Sequence, residues 1–509
     1  MTTEPGGAST PVTAPAPAAP QSVSTRSAAR ARTTRASPPA LTIARGLLLV
    51  TAVVLAGVQP ALLPVARDLQ VAQTATAAKN YAAAADALSN AAARLPYASD
   101  LVNRAALAEI SAGRFDDAIR DLFAAADLDG WTAARHVALG DAYLGKGDAS
   151  SALAQWEQAL TGAPKDDALL ARLANQYEAL GRYPDAIRVL TTLTAVRPKD
   201  PAVYYRLALL TAATSPADAP ARLVIVAAMA PNLASSTQML VDAIQSGQAT
   251  GNPAYTFGRV GYAFEQLNEW RLAEEALMHA VVIDPQYSDA FAYLGLAQDR
   301  QNKDGLVAYQ TAVKLAPQSP LAQYLLGLHW RRAGDSHTAL IYLQTAQALD
   351  PQNPAIAAEM GGAYASLGDL TSAEIWLTEA VKRDEKNPQF WLLLANFYVD
   401  NDYHVAELGL PAARTAVGLA PKSGPAADAL GFALVLTGDL TNGERMLLQA
   451  LTLGGESAAT YYHLGILYTR QTRTPEAEAA LNHALSLDPQ GFYGNLALKA
   501  LGALTKPSP

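Results

Sequence analysis

Cysteine is absent from this chain of 509 residues, and its absence excludes several kinds of chemistry. Without a thiol the protein can form no disulfide, bind no metal through thiolates and use no cysteine nucleophile. Histidine is scarce, with seven in the sequence, and no two of them stand four residues apart. There is also no H-E-x-x-H motif, so no pair of histidines is spaced to bind a metal on one helix face.

The sequence motifs of common enzyme classes are missing as well. There is no G-x-S-x-G nucleophile elbow, no G-x-G-x-x-G dinucleotide loop and no G-x-x-x-x-G-K-[ST] phosphate loop. His404 and Glu407 could share one helix face, but a single His-x-x-Glu pair more often makes a surface contact. We therefore expect a protein that is not an enzyme and that uses no cofactor, metal ion or small-molecule substrate.

Basic residues are outnumbered in this chain, and they are unevenly distributed. The sequence has 38 Lys and Arg against 46 Asp and Glu, for a net charge of -8. Residues 1–66 nevertheless contain five arginines and a single acid, Glu4. The remainder is therefore more acidic than the chain as a whole, which argues against a nucleic acid partner.

Small residues recur along the chain with a spacing of about 34 residues, the period of a known class of helical repeat. Two packed helices approach each other closely only where side chains are small, so such a repeat indicates a tandem array of helical hairpins. Twelve positions carry this Gly or Ala: Ala72, Ala106, Gly140, Ala174, Ala208, Gly261, Gly295, Gly327, Gly361, Ala395, Gly431 and Gly465.

The third unit shows how one hairpin is encoded. Gly140 lies on a first predicted helix, and a turn at residues 145–148 leads to a second helix with Ala152 and Trp156. Pro164 ends that second helix, because proline has no backbone N–H to donate. A lone hairpin would leave an apolar face uncovered, so neighbouring units must stack.

This pattern resembles the tetratricopeptide repeat family, whose signature places W-x2-L-G-x2-Y, then A, a large apolar residue, A and P along about 34 residues. The resemblance covers roughly residues 66 to 490. Nine of the twelve units end in the expected proline, at Pro96, Pro164, Pro198, Pro231, Pro285, Pro317, Pro351, Pro421 and Pro489. Gly130, Glu385 and Gly455 replace it in the others. The resemblance implies an all-α fold, a right-handed α-solenoid of about twelve hairpins.

The spacing divides the chain into segments. Between Ala208 and Gly261 it widens well beyond one period, enough for an extra helix, which we place at Ser236 to Gln245. The predicted organisation is a disordered Ala/Pro/Ser/Thr-rich tail at 1–40, a transmembrane helix at 41–66, repeats one to five at 67–231, an irregular joint with the extra helix at 232–254, repeats six to twelve at 255–489, and a capping helix with a tail at 490–509.

Residues 46–66 form a continuous run without charge. At ~1.5 Å per residue a helix of this length could cross a ~30 Å hydrocarbon layer. The preceding arginines place the tail in the cytoplasm and the repeats outside it. Two alternatives remain open: an export signal cleaved near Ala56, and a buried apolar helix that joins the first repeat.

In the tetratricopeptide family the first helices of the hairpins line a concave groove, which binds proteins or peptides. The resemblance implies the following partner-binding residues: Tyr205, Tyr262, Tyr324, Leu328, Phe432 and Tyr462. Alternatively, these side chains pack against adjacent repeats. The basic residues with which some members bind chaperone tails are replaced by Ala171 and Leu392. We expect a non-enzymatic, membrane-tethered scaffold with a protein partner, or alternatively an accessory subunit of an envelope glycan-synthesis or glycosyltransferase complex.

Overall fold

The computed structural model describes residues 62–504. This part of the chain consists of α-helices joined by turns, and no β-strand occurs within it. The predicted disordered tail at 1–40 lies outside the described residues. So does the predicted membrane segment at 41–66, except for residues 62–66. No helix between residues 62 and 504 is both long and apolar enough to cross a membrane.

The chain divides into two compact units, Met1–Trp131 and Thr132–Pro509. The described part of the first unit contains α1 (62–77), α2 (Tyr81–Arg94), α3 (Ser99–Ser111) and α4 (Phe115–Asp129). The second unit contains α5 (Ala133–Gly145), α6 (Ala149–Gly162), α7 (Asp167–Ala179), α8 (Tyr183–Val196), α9 (Pro201–Thr214), α10 (Pro220–Met229), α11 (Ala234–Gln248), α12 (Pro253–Gln266), α13 (Trp270–Ile283), α14 (Ser288–Asp299), α15 (Leu306–Leu315), α16 (Pro320–Arg332), α17 (Ser336–Leu349), α18 (Pro354–Ser366), α19 (Leu370–Arg383), α20 (Pro388–Asp400), α21 (Leu410–Leu419), α22 (Gly424–Leu436), α23 (Leu440–Gly454), α24 (Ala458–Arg470), α25 (Thr474–Leu487) and α26 (Phe492–Leu504).

Most of these helices pair in chain order as antiparallel hairpins. Two hairpins lie in the described part of the first unit and ten in the second, while α11 and α26 are additional to the pairs. The predicted all-helical fold of about twelve hairpins is therefore confirmed within residues 62–504.

The turn inside a hairpin is encoded by two residues. Gly147, between α5 and α6, has a φ of +84°, a backbone conformation that glycine adopts without steric cost. The next residue, Asp148, accepts a hydrogen bond from the backbone N–H of Ser151 at 3.0 Å and so caps the start of α6. A glycine followed by an N-capping aspartate recurs before α17, α19 and α23.

The first unit contains the end of the predicted membrane segment. Val65, on α1, is only 5% exposed and packs with Ala91, Leu101 and Val102. Residues 62–66 therefore belong to a helix that packs in the first hairpin. This part of the predicted span agrees with the alternative in which the apolar run joins the first repeat.

The inserted helix α11 lies between the fifth hairpin (α9–α10) and the sixth hairpin (α12–α13) in the sequence. These two hairpins nevertheless remain in direct contact. Arg206 of α9 forms ion pairs with Glu178 of α7 at 2.6 Å and with Glu269, just before α13, at 3.2 Å. Arg271 of α13 donates to the Glu178 carbonyl oxygen at 2.6 Å. The α12–α13 hairpin thus packs onto α7 and α9 directly, and α11 provides an additional helical wall beside α12.

The close approach of paired helices can be tested with two neighbouring glycines of α18. A Cβ at Gly361 would lie 2.6 Å from Leu377 Cγ, whereas at Gly362 the nearest atom would be the Arg331 guanidinium at 3.5 Å. We expect Gly361→Ala to destabilise the fold by about 1–3 kcal/mol through overpacking. Gly362→Ala should instead stabilise it by up to about 1 kcal/mol, because alanine favours helix. Urea denaturation of both variants measures the difference, and equal effects would contradict the packing described here.

Candidate functional site: a cleft between α11 and α12

A cleft of about 620 Å³ lies between α11 and α12, inside the second unit. We call it the joint cleft. It is lined by Ser235, Gln238, Met239, Asp242, Ala243 and Ser246 of α11, and by Arg259, Tyr262, Ala263 and Gln266 of α12. Within each set the residues follow the pattern i, i+3, i+4, i+7, which places them on one face of the helix. Each set therefore forms one stripe along its helix.

The two helices are joined by a tight turn and are closest near it. Gly251 has a φ of +68°, and the Asn252 side chain accepts a hydrogen bond from the Ala254 N–H at 3.0 Å, which begins α12. A Cβ at Gly247 would lie 2.5 Å from Thr256 Cα, so glycine is required for this approach. The cleft begins beyond this contact and follows both helices away from the turn.

The joint cleft presents apolar side chains to solvent on both walls. Met239 is 38% exposed on α11 and Tyr262 is 36% exposed on α12. Ala243 and Ala263 are buried between the two helices. The Tyr262 ring packs against the Tyr293 ring, with 5.0 Å between their centroids, which holds it on its wall of the cleft. Large apolar groups held in an open cleft are typical of a protein-binding surface.

Polar groups surround these apolar side chains. The Gln238 amide donates to Asp242 Oδ1 at 2.8 Å. Arg259, on the opposite wall, forms no hydrogen bond or ion pair with the residues between 62 and 504, and its Nε atom is buried without a partner. Arg259 is therefore a charged side chain in the cleft wall with no counter-ion among the described residues.

The structure brings two of the residues that the sequence predicts as partner-binding close to α11. Tyr262 lines the cleft. Tyr205 of α9 is half-buried and lies near Ser236, the neighbour of the cleft residue Ser235. Burial raises the pKa of the Tyr205 phenol. Both tyrosines therefore lie beside the inserted helix.

Tyr324 and Leu328 lie elsewhere, on α16. Leu328 is buried, and half-buried Tyr324 packs against the apolar cluster that contains Leu325 and Leu326. Burial raises the pKa of Tyr324 to about 12. These two side chains mainly contact neighbouring helices.

Phe432 packs against α24, and Tyr462 packs against the C-terminal helix α26. Phe432 is 6% exposed and stacks on His463, with 3.8 Å between the ring centroids. Tyr493, on α26, packs against Tyr462 at 6.0 Å between centroids and donates to Asp400 Oδ1 at 3.3 Å. Phe432 is thus buried beside His463, and Tyr462 is half-buried next to Tyr493.

The same region contains a buried, hydrogen-bonded pair of polar side chains that the sequence pattern did not indicate. His463 Nδ1 lies 3.0 Å from Asp428 Oδ2, and both side chains are buried. Asp428 and His463 are 35 residues apart, so no local motif could have linked them. Within residues 62–504, no three histidine, aspartate or glutamate side chains are grouped to hold a metal ion.

A buried carboxyl group supports α12 behind the cleft. Glu265 is buried, and desolvation raises its pKa from 4.5 to about 8, with Arg300 opposing the shift. The Glu265 carboxyl group is therefore neutral in the folded protein at pH 7. Its neutral state removes one negative charge from the helix that carries Arg259 and Tyr262.

This raised pKa predicts a pH-dependent stability. Between pH 4.5 and about 8 the unfolded chain releases the Glu265 proton while the folded chain retains it, so stability falls as pH rises. Glu265→Gln has no carboxyl group to titrate, so its free energy of unfolding should not fall in this way. The variant should be more stable than the wild type by up to about 4 kcal/mol at pH 9, and nearly as stable as the wild type near pH 4.5. Denaturation midpoints from pH 4.5 to 9 measure this trend, with the exposed Glu478→Gln as the matched control. A difference that stays constant with pH would mean that Glu265 is ionised in the fold.

Three models of the tetratricopeptide repeat match this sequence: one at residues 143–213 and 331–397, a second at 296–354 and a third at 458–490. No curated protein matches it. Among solved structures, yeast Tom70 is similar at 15% identity, with 80% of this chain and 95% of that chain covered and a TM-score of 0.37. A tetratricopeptide repeat protein from Parabacteroides merdae is similar at 17% identity, with 50% and 99% covered and a TM-score of 0.40. The family models confirm what the spacing of small residues indicates: this chain contains tetratricopeptide repeats.

Proposed function

We propose that this chain is a non-enzymatic scaffold that binds a segment of another protein in the joint cleft. The observation that carries the proposal is the pair of exposed apolar side chains, Met239 and Tyr262, on facing walls of one cleft. Stacked repeats commonly present extended surfaces to protein partners. Large apolar and aromatic side chains provide most of the binding free energy at such surfaces.

The shape and lining of the cleft suit a polypeptide better than a compact small molecule. From Ser235 to Ser246 the cleft follows α11 for three helical turns, which is roughly 16 Å. The side-chain amides of Gln238 and Gln266 can each donate and accept hydrogen bonds, as the N–H and C=O groups of a bound main chain require. Apolar anchors flanked by such groups therefore fit a short protein segment.

Site-specific photo-crosslinking can test this function. A photoreactive amino acid in place of Met239, in the full chain in its own cells, should crosslink to a discrete protein partner. Changing Tyr262 to Ala should reduce the yield of that product about tenfold or more, because aromatic anchors often contribute about 2 kcal/mol of binding. Crosslinked products resolved by mass spectrometry provide the measurement.

The matched control places the same photoreactive residue at Val282. This side chain is 71% exposed on α13 and does not line the cleft. It should not give the product obtained from position 239. Equal yields of the same product from both positions would show that contact with the chain does not depend on the cleft, and the proposal would fail.

We further propose that the apolar run brings the chain to a membrane and that the repeats lie beyond the cytoplasm. Val65 is buried in the first unit, whereas Leu62 and Leu63 are exposed, so the uncharged run in front of this contact is 46–64. A helix of this length measures ~28 Å, close to the ~30 Å of a hydrocarbon layer. Both a permanent anchor and an export signal cleaved near Ala56 fit this length.

Fractionation and intact mass measurement distinguish these routes. In cells that make the full chain with a C-terminal tag, protease added outside the cytoplasmic membrane should degrade the repeats. Cleavage near Ala56 should shorten the chain, whereas an anchored chain should keep its full mass and sediment with membranes. Full-length, protease-protected protein in the soluble fraction would exclude both routes.

The alternative role as an accessory subunit of an envelope glycan-synthesis complex is compatible with the same non-catalytic repeats. It differs from a general scaffold only in the partner it requires. The identity of the protein crosslinked at position 239 therefore distinguishes them: an enzyme of glycan synthesis would support the accessory role.

A further inference from the structure

We infer that the joint cleft selects a protein segment in which an acidic side chain stands beside a large apolar side chain, and that Arg259 binds the carboxylate. This inference rests on the proposed function, because it specifies the partner of the same cleft. Met239 and Tyr262 contact the apolar side chain of the segment, and Arg259 binds its acidic side chain.

Arg259 is a cation without a partner among the residues that the structure describes. Its side chain is half-buried in the cleft wall, its Nε atom is buried without a hydrogen bond, and no carboxylate between residues 62 and 504 lies within ion-pair distance of it. The nearby Tyr287 phenol interacts with it electrostatically but is neutral, since burial raises its pKa to about 12. A carboxylate bound in the cleft would form a charge-assisted hydrogen bond with the Arg259 guanidinium group.

The acidic groups around the cleft do not neutralise Arg259. Asp242, on the opposite wall, is exposed and accepts a hydrogen bond from Gln238. Glu269 is paired with Arg206 at 3.2 Å. Glu265 is buried on α12 with Arg300 as its charged neighbour. The guanidinium of Arg259 is therefore available to a ligand from outside.

The neighbours of Arg259 favour a single carboxylate over a polyanion. Asp242 faces the cleft from α11, so a phosphate or nucleic acid backbone would meet a negative charge as well as the arginine. Met239 and Tyr262 add apolar surface that a phosphate could not use. One carboxylate with an adjacent apolar group matches this combination of one cation and two apolar side chains.

The placement of Arg259 on α12 sets the spacing of the two recognised groups. Arg259 and Tyr262 are three residues apart and lie on the same stripe of the helix, with about 5–6 Å between their Cβ atoms. Two neighbouring side chains of a bound segment can therefore contact Arg259 and Tyr262 at the same time. The cleft also requires α11 as its second wall. A regular series of hairpins would contain no such helix.

A displayed library of random heptapeptides tests the inference with defined probes. The purified full chain is immobilised, and peptides retained by the wild type are compared with those retained by Arg259→Gln and Arg259→Glu. The wild type should enrich Asp or Glu next to Phe, Leu or Met. Arg259→Gln should retain the apolar preference and lose the acidic one, and Arg259→Glu should instead enrich Lys or Arg.

The matched control is Arg445→Gln, which removes the same charge from an exposed position on α23. It should keep the acidic preference, and thermal unfolding should show that all variants remain folded. For one enriched peptide, changing its acidic residue to the amide should weaken binding to the wild type about tenfold. The same change should have little effect on binding to Arg259→Gln, because the pairing is already lost.

Three outcomes would count against these proposals, and they can be told apart. Enrichment of apolar peptides without an acidic preference would overturn the role of Arg259 and leave the scaffold function standing. If the acidic preference persists in Arg259→Gln, a residue other than Arg259 binds the carboxylate, and the inference is wrong while the scaffold function stands. If the wild type enriches no peptide, the cleft does not bind protein segments and the proposed function fails with the inference.

Discussion

The close approach of paired helices is the constraint on which the rest of the described fold depends. A Cβ at Gly431 would lie 2.8 Å from Leu447 Cγ, and one at Gly465 would lie 2.6 Å from Leu481 Cγ. The large side chain of the second helix thus rests against the bare backbone of the first. This contact sets the separation of the two helices, and neighbouring hairpins then cover the apolar faces that each pair leaves open.

The joint cleft exists because this regular packing is interrupted once between α9 and α12. The α12–α13 hairpin stacks on the preceding hairpins through Arg206 and Arg271, as a regular unit would. Helix α11 packs between α10 and α12 and is additional to the hairpins. Its stripe from Ser235 to Ser246 consequently faces a cleft, whereas in a regular unit the next helix would cover it.

The C-terminal end of the array shows a different situation, in which the added helix α26 packs on α24 and α25. Tyr493 of α26 contacts Asp400, which is 93 residues earlier in the sequence. Beneath it, the hydrogen-bonded pair of His463 and Asp428 and the Phe432 ring fill the space between α22 and α24. Buried polar side chains are tolerated there because they are hydrogen-bonded to each other. Phe432 is therefore a packing residue in this part of the fold.

The sequence by itself determined the hairpins, because the interactions that form them are local. Gly361 and Leu377 belong to successive helices of one hairpin, and caps such as Asp148 act within a single helical turn, so spacing and residue type suffice to predict them. The widened spacing before Gly261 likewise predicts an inserted helix. Only the tertiary structure decided which side chains remain accessible. Tyr262 and Phe432 occupy equivalent positions, directly after the small residue of their repeats, yet one lines a cleft and the other is buried. Phe432 stacks on the buried His463, whereas Tyr262 borders the cleft beside the inserted helix α11. The difference depends on how the helices pack around each ring, and no local pattern encodes that packing.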